Sequence, residues 1–387
     1  MSAFLAAKLL IEECGAIDSW ASEMAGSKQG VLGAFGTWKV PVLFALSEGL
    51  THFGIWLGDS SGYVNIVKLI RGIANAEEAR VFQWHGMLRP VVPFLAVPFS
   101  YLVDYRDAIA VVNLGFFLLG TLFTYLLARE LLGNDVAFIS AVCFASAVPS
   151  LAFGTAVLTD GPGYAVQAIL LYFVLHVLEE KRDTCTSVLA GVLIGIGILV
   201  KETTFIVLIF LVFRFFLRRG RLRIPQMMLI AIIGIGIPMG WAQLIGQSYL
   251  GFYGEGLAYR SPGYKGALVH PTLFALSAVY AFYLCLPFAF MAFFMINDDA
   301  FKTICEILVS AGVLLVLWPT SPESRFTFLT FPAVLPLAAY GMCQASQILC
   351  KRPWLKMISE KSWLTLLLMA TVFYTNIVTF RLYFRTP

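Results

Sequence analysis

Charge is what this 387-residue chain has least of: Asp, Glu, Lys and Arg make up 13% of it, about half the share of a typical soluble domain. With 59% hydrophobic residues and a mean hydropathy of +0.82, it carries more apolar surface than a soluble fold could bury, so lipid must solvate much of it. Paired cysteines are missing as well. The seven (Cys14, Cys143, Cys185, Cys285, Cys305, Cys343, Cys350) show no CxxC spacing and lie mostly in or beside apolar runs, where a thiol behaves as a small hydrophobe. That argues against a disulfide framework or a zinc site. Residues 1–30 lack the basic start and small-residue cleavage pattern of a signal peptide and read as an inner-surface amphipathic segment. No Walker motif and no strand-borne GxGxxG occurs, so cytosolic nucleotide chemistry has no seat. The net charge is only +4, and the basic residues sit in short loops, which leaves no nucleic-acid-binding face.

What is present is a series of apolar runs. Hydropathy places spans near 31–57, 107–131, 135–153, 161–179, 187–200, 203–219, 226–247, 271–296, 301–318, 325–349 and 362–383, an all-α polytopic membrane protein of about eleven transmembrane helices. The runs 187–200 and 203–219 are too long to be one span: about 33 residues would reach roughly 50 Å across a core of about 30 Å. They are expected to form a hairpin with Lys201 and Glu202 at its outer tip. With the N-terminus inside, 16 of the 27 Lys and Arg fall in the inner loops, as the positive-inside rule requires. The chain divides into the segment 1–30, a transmembrane module 31–349, and a basic inner loop with a final span, 350–387. Two outer loops are long, 58–106 and 248–270, and the first holds a helix-like stretch (63–71) and a proline-broken apolar run from Arg89. Long loops over one face of a bundle point to a working site there.

The residues able to do chemistry gather on that face. Asp59 follows the first span and suits either a helix N-cap or a general base under a lid loop. Asp160, before Gly161-Pro162, suits a helix start or, with Asp59, an acidic pair at one cavity. Lys201 ends an apolar, glycine-rich run; it reads as snorkelling, as a local pair with Glu202, or as a phosphate contact. Gly191, Gly195 and Gly197 in that run read as helix packing. Arg325, in Ser324-Arg325-Phe326, carries the guanidinium suited to bidentate phosphate binding, or pairs with Glu323, or serves as an interfacial anchor. Arg260, Lys265 and His270 are weaker candidates in the second loop. Glu48 and His52, one turn apart, read as a structural pair.

The order of these features resembles a known family. An acidic residue after the first span is followed by a long loop ending in Arg89-Pro90-Val91-Val92-Pro93. Then come Val112-Asn113, Ala128-Arg129-Glu130, Leu158-Thr159-Asp160-Gly161-Pro162, the glycine run ending at Lys201, and Ser324-Arg325-Phe326 before a proline-containing span. From Trp56 to Gly341 this resembles the GT-C superfamily of membrane glycosyltransferases. The nearest branch is that of polyprenyl-phosphate-mannose protein mannosyltransferases and aminoarabinose transferases.

The resemblance implies a GT-C-like bundle with surface helices in the first outer loop, and a sugar donor on a polyprenyl phosphate. It implies Asp59 as general base for an inverting transfer, with Asp160 organising the acceptor or the first loop. Lys201 and Arg325, aided by Arg260 and Lys265, would stabilise the departing phosphate, and Arg89, His270 and Tyr63 would serve the acceptor or the loop. A metal belongs to the oligosaccharyltransferase branch, so no metal or other cofactor is expected here. Many relatives carry a first-loop acidic pair, whereas Ser60 follows Asp59; many also carry a soluble C-terminal domain, whereas this sequence stops after its last span. Acceptor recognition would then use the membrane module, its loops or a partner subunit. The expected setting is a prokaryotic plasma membrane with the site outward; an endoplasmic reticulum enzyme would share that sidedness. A transporter or flippase fits less well, because no internal repeat is visible and the polar residues avoid midplane. A non-catalytic subunit of a membrane complex is the third reading.

Overall fold

The structure is a computed structural model. It describes residues 38–57, 59–74, 87–181, 183–217, 223–249, 278–279, 281–317, 324–352 and 358–383. Segment 1–30 and nearly all of loop 248–270, with Arg260, Lys265 and His270, lie outside the described residues.

In chain order the helices are α1 (Lys39–Thr51), α2 (Ser60–Ile70), α3 (Val91–Ala96), α4 (Tyr105–Leu132), α5 (Asn134–Ser146), α6 (Val148–Phe153) and α7 (Asp160–Phe173). They continue with α8 (Thr184–Val200), α9 (Phe205–Leu217), α10 (Ile224–Leu244), α11 (Cys285–Phe293), α12 (Asp298–Leu317), α13 (Phe331–Cys350) and α14 (Glu360–Tyr383). Five helical stretches are long and apolar enough to cross a membrane: Tyr105–Leu132, Asp160–Lys181, Ile224–Leu244, Thr327–Cys350 and Glu360–Thr379; α5 and α8 are shorter apolar helices.

Local chemistry sets the boundaries. Asp107 in the first turn of α4 and Arg129 in its last complement the helix dipole. Gly133, at φ 92°, turns the chain directly into α5. The run 135–153 is two helices, because Ala147 is extended and Pro149 has no N–H to continue α5. The Asp183 carboxylate accepts from Thr186 N at 2.6 Å and caps α8, a bond that lowers its pKa. In the first loop, the stretch read as helix-like is α2, and the proline-broken run is α3 followed by a 3-10 turn, Phe99–Tyr101.

At the end of α8 the chain reverses. Lys201 is extended (φ −161°, ψ 133°), a 3-10 turn covers Glu202–Thr204, and the Thr204 hydroxyl donates back to Gly197 O at 3.0 Å. Helix α9 then returns far enough for Arg214 to pair with Glu179, on the helical extension of α7. That pair, with the bond from Arg214 to Glu306 of α12 at 2.7 Å, marks the end of the bundle opposite Lys201. The Arg214 side chain is buried among α9, α12 and the end of α7. Two carboxylates draw it inward.

Apolar faces cannot drive helix association in lipid, so close contacts between small residues take over. Gly191 and Gly195 of α8 face Ile233 and Ile237 of α10, where an added Cβ would come within 2.8 Å of each isoleucine Cβ. Gly341 of α13 lies directly against the Phe288 carbonyl of α11. Gly341→Ala forces the two backbones apart. It is expected to cost about 1–3 kcal/mol, the usual range for overpacking, read as a lower unfolding temperature of the detergent-solubilised protein.

Candidate functional site

The site forms where the start of α7, the α8–α9 tip and the first loop meet. Residues 154–159 are not helical and are tied down individually. Thr155 Oγ1 donates to His52 O at 2.8 Å, Val157 N to Ile55 O at 3.1 Å, and the Asn113 amide to Ala156 O and Leu158 O. Gly161 packs on the backbone of Gly154, which brings α7 in at a fixed depth. Gly163 leaves room for the Lys201 stem, since a Cβ there would come within 2.8 Å of Lys201 Cβ and Cδ.

The side chains then pair in an order the sequence did not suggest. Lys201 Nζ donates to Asp160 Oδ1 at 2.5 Å, both residues being about 5% exposed. Glu202 pairs with Arg89, whose Nε donates to Oε2 at 2.5 Å and whose Nη2 donates to Oε1. Lys201 is extended whereas Glu202 opens the 3-10 turn, and the two side chains engage different partners. Each makes its hydrogen-bonded ion pair at long range. Arg89 also donates to the Tyr63 hydroxyl at 3.0 Å, and that hydroxyl bonds Thr159 Oγ1 at 2.9 Å. Thr159 precedes Asp160 as Lys201 precedes Glu202, so the six residues close a ring of two cations, two anions and two hydroxyls. Burial alone would raise the Glu202 carboxyl, but the Arg89 charge and hydrogen bonds overcome it and hold its pKa below the ordinary carboxylate value. Burial raises the Tyr63 phenol, which stays a hydroxyl.

Arg89 is held from below. Trp241 Nε1 donates to Met87 O at 2.7 Å and the Tyr249 hydroxyl to Leu88 O at 3.0 Å. Beside Lys201 lies a small cleft lined by Asp160, Tyr164, Gln167, Lys201, Thr203, Phe328 and Leu329. Its aromatic wall is rigid: Tyr164 stacks on Phe144 with centroids 4.5 Å apart, shares a hydrogen bond with Thr124 at 2.6 Å, and lies 5.7 Å from Phe328.

Asp160 and Lys201 thus line one cleft. Arg325 is on the 3-10 helix Ser324–Thr330 that supplies Phe328 and Leu329; its side chain lies outside the described residues. Asp59 is exposed and does not line the cleft; it stands at the start of α2, one turn from Tyr63, and its side chain does not cap that helix. Glu48 and His52 are a loose pair at 3.8 Å, with His52 Nδ1 bonded to the Glu48 carbonyl at 3.0 Å. Among the described residues no three His, Cys, Asp or Glu come together at metal-binding spacing. Thr159 and the wall residues Tyr164, Gln167 and Thr203 were given no role by the sequence, and Glu202 only that of a local partner for Lys201.

Solved structures share this architecture. ArnT from Cupriavidus metallidurans bound to undecaprenyl phosphate superposes with a TM-score of 0.63 at 12% identity, covering 90% of this chain and 77% of that one. The fold is similar to that of ArnT. The archaeal oligosaccharyltransferase AglB from Archaeoglobus fulgidus, in complex with an inhibitory peptide and a dolichol-phosphate, matches with a TM-score of 0.59 at 14% identity. That match covers 89% of this chain and 55% of AglB. The dolichyl-phosphate-mannose-protein mannosyltransferase family profile matches residues 88–241, from just before Arg89 through Asp160 and Lys201 to Trp241. A search of curated protein sequences finds no match. The GT-C resemblance read from motif order therefore holds.

Two consequences of the ring are measurable. Lys201→Met strands the Asp160 carboxylate in a buried site, which typically costs about 3–5 kcal/mol. Adding Asp160→Asn is expected to restore much of the loss in unfolding temperature. The second concerns acid. Because the folded Glu202 pKa is depressed, its contribution is fully present above the ordinary carboxylate value of about 4 and fades as pH falls through the folded value. The stability gap between wild type and Glu202→Gln is expected to be largest near neutrality and to narrow in acid, as followed by thermal unfolding at a series of pH values.

Proposed function

We propose that the chain transfers a sugar from a polyprenyl-phosphate donor to a hydroxyl acceptor at the outer face of a membrane, with inversion at the anomeric carbon. The observation that carries this reading is the Lys201-lined cleft in a GT-C fold, inside the stretch that the mannosyltransferase profile covers. A buried ammonium beside an aromatic wall suits a phosphate joined to a sugar ring. An ammonium has three donors, so the pair with Asp160 and a bond to a phosphate oxygen are compatible.

In the proposed step Asp59 takes the acceptor hydroxyl proton as the acceptor oxygen attacks the anomeric carbon. The bond from that carbon to the phosphate oxygen breaks, and polyprenyl phosphate leaves with the electron pair. Lys201 and Arg325 balance the growing negative charge, with Arg260 and Lys265 of the second loop as further contacts. Asp160 keeps Lys201 aimed, and His270 is assigned to the acceptor side. These charges suffice for the step as written, so no metal is invoked. The site is placed opposite the basic loops, in a plasma membrane with its active face outward. Sugar and acceptor are left as classes.

The test is transfer of a radiolabelled sugar from polyprenyl-phosphate donors by the purified protein. Asp59→Asn is expected to lower turnover by about 100-fold or more, within the range of general base catalysis, while polyprenyl phosphate still binds. Wild-type turnover in Asp59→Asn would remove Asp59 as the base.

A further inference from the structure

Helix α2 carries Asp59 at its start, yet most of its attachments are apolar. Its buried side chains include Tyr63, Val64, Ile66 and Val67, and such contacts resist removal from the core more than sliding within it, because the hydrophobic effect is not directional. Directional bonds secure it near both ends. At the C-terminal end, Arg71 donates to Ser100 O at 2.8 Å and to the Tyr105 hydroxyl at 3.2 Å, and sits 4.1 Å over the Tyr101 ring. Near the N-terminal end Ser60 Oγ accepts from Leu57 N at 2.9 Å, and Tyr63 supplies the long-range fastening. Its hydroxyl meets Thr159 on one side and Arg89 on the other, and Arg89 is locked bidentately to Glu202. Tyr63 is 3% exposed, so it reaches these partners through the interior.

Asp59 stands one turn before Tyr63, so the Tyr63 hydroxyl fixes the first turn of α2, directly after Asp59. Its other ends are anchored in the two dipeptides that build the cleft, Thr159-Asp160 and Lys201-Glu202. We propose that Tyr63, held by Arg89 and Glu202, is a positioning residue that sets Asp59 relative to the Lys201 cleft without touching donor or acceptor. This assignment rests on the glycosyltransferase reading. Of the two roles expected for Tyr63 and Arg89, acceptor or loop, it takes the loop role, because both polar groups are engaged within the protein. A base displaced by about 1 Å can lose on the order of 100-fold in rate while the donor site is untouched.

The test compares full-length wild type with Tyr63→Phe, which deletes one oxygen and keeps the ring. Thr159→Val serves as a second variant that removes the same bond from the other side. Three quantities are read: hydrogen exchange of the α2 amides, binding of polyprenyl phosphate, and kcat against KM for sugar transfer. In both variants α2 is expected to exchange at least tenfold faster and kcat to fall about 10- to 100-fold. Donor KM and polyprenyl phosphate binding should stay within about twofold, and the double variant should be no worse than Tyr63→Phe alone. A kcat loss without faster α2 exchange, or faster exchange without a kcat loss, overturns the assignment. So does a loss of phosphate binding that matches the loss in kcat, which would make Tyr63 a donor contact. If the wild type neither binds nor turns over polyprenyl-phosphate sugars, it is the glycosyltransferase reading that fails. The clasp is then judged on exchange alone, and unchanged α2 exchange in Tyr63→Phe overturns it.

Discussion

Four charges are buried within one small region of this bundle, and none can be kept there unless the others are in place. An unpaired ion in a low-dielectric interior costs several kcal/mol even after relaxation. Asp160 and Lys201 compensate each other at 2.5 Å, and Arg89 and Glu202 do so through two hydrogen bonds. Tyr63 and Thr159 join the pairs through hydroxyls, and the chain itself closes the ring at Thr159-Asp160 and Lys201-Glu202. The ring sums to no net charge, which makes it tolerable in the interior. It also fixes the relative position of α2, the residues before α3, the start of α7 and the α8–α9 tip.

A second buried ionic group holds the opposite end. Arg214 is shared by Glu179 and Glu306 and reaches Thr303 at 3.0 Å, which links α9, α12 and the extension of α7. Between the two ends the helices meet through glycine contacts and aromatic stacking. This division of labour follows from the solvent. Leucine against lipid is as stable as leucine against leucine, so specificity must come from polar pairs and close backbone approach.

The same logic ties the frame to the cleft. Lys201 belongs both to the ring and to the cleft wall, and Asp160 does too. Through the ring, Arg89 and Tyr63 of the first loop help set the position of that cation. The loop that carries Asp59 and the tip that carries Lys201 are thus one mechanical unit, although they are separated by well over a hundred residues in the chain.

Composition and hydropathy alone determined that the protein is helical, that lipid solvates it, and roughly where most of its described helices run. Span length and dipole-matched ends are local properties, so they can be read from local sequence. The motif order also led to the GT-C fold, and to Asp160 and Lys201 as residues worth following. Tertiary structure decided the partners. Lys201 joins Asp160 across 41 residues, Tyr63 joins Thr159 across 96, and Arg89 joins Glu202 across 113. Sequence proximity offered Glu202 as one partner for Lys201 and could not offer Asp160 as its ion-pair partner. A buried charge is claimed by whichever opposite charge the packing brings within hydrogen-bond reach, and packing is a property of the assembled chain.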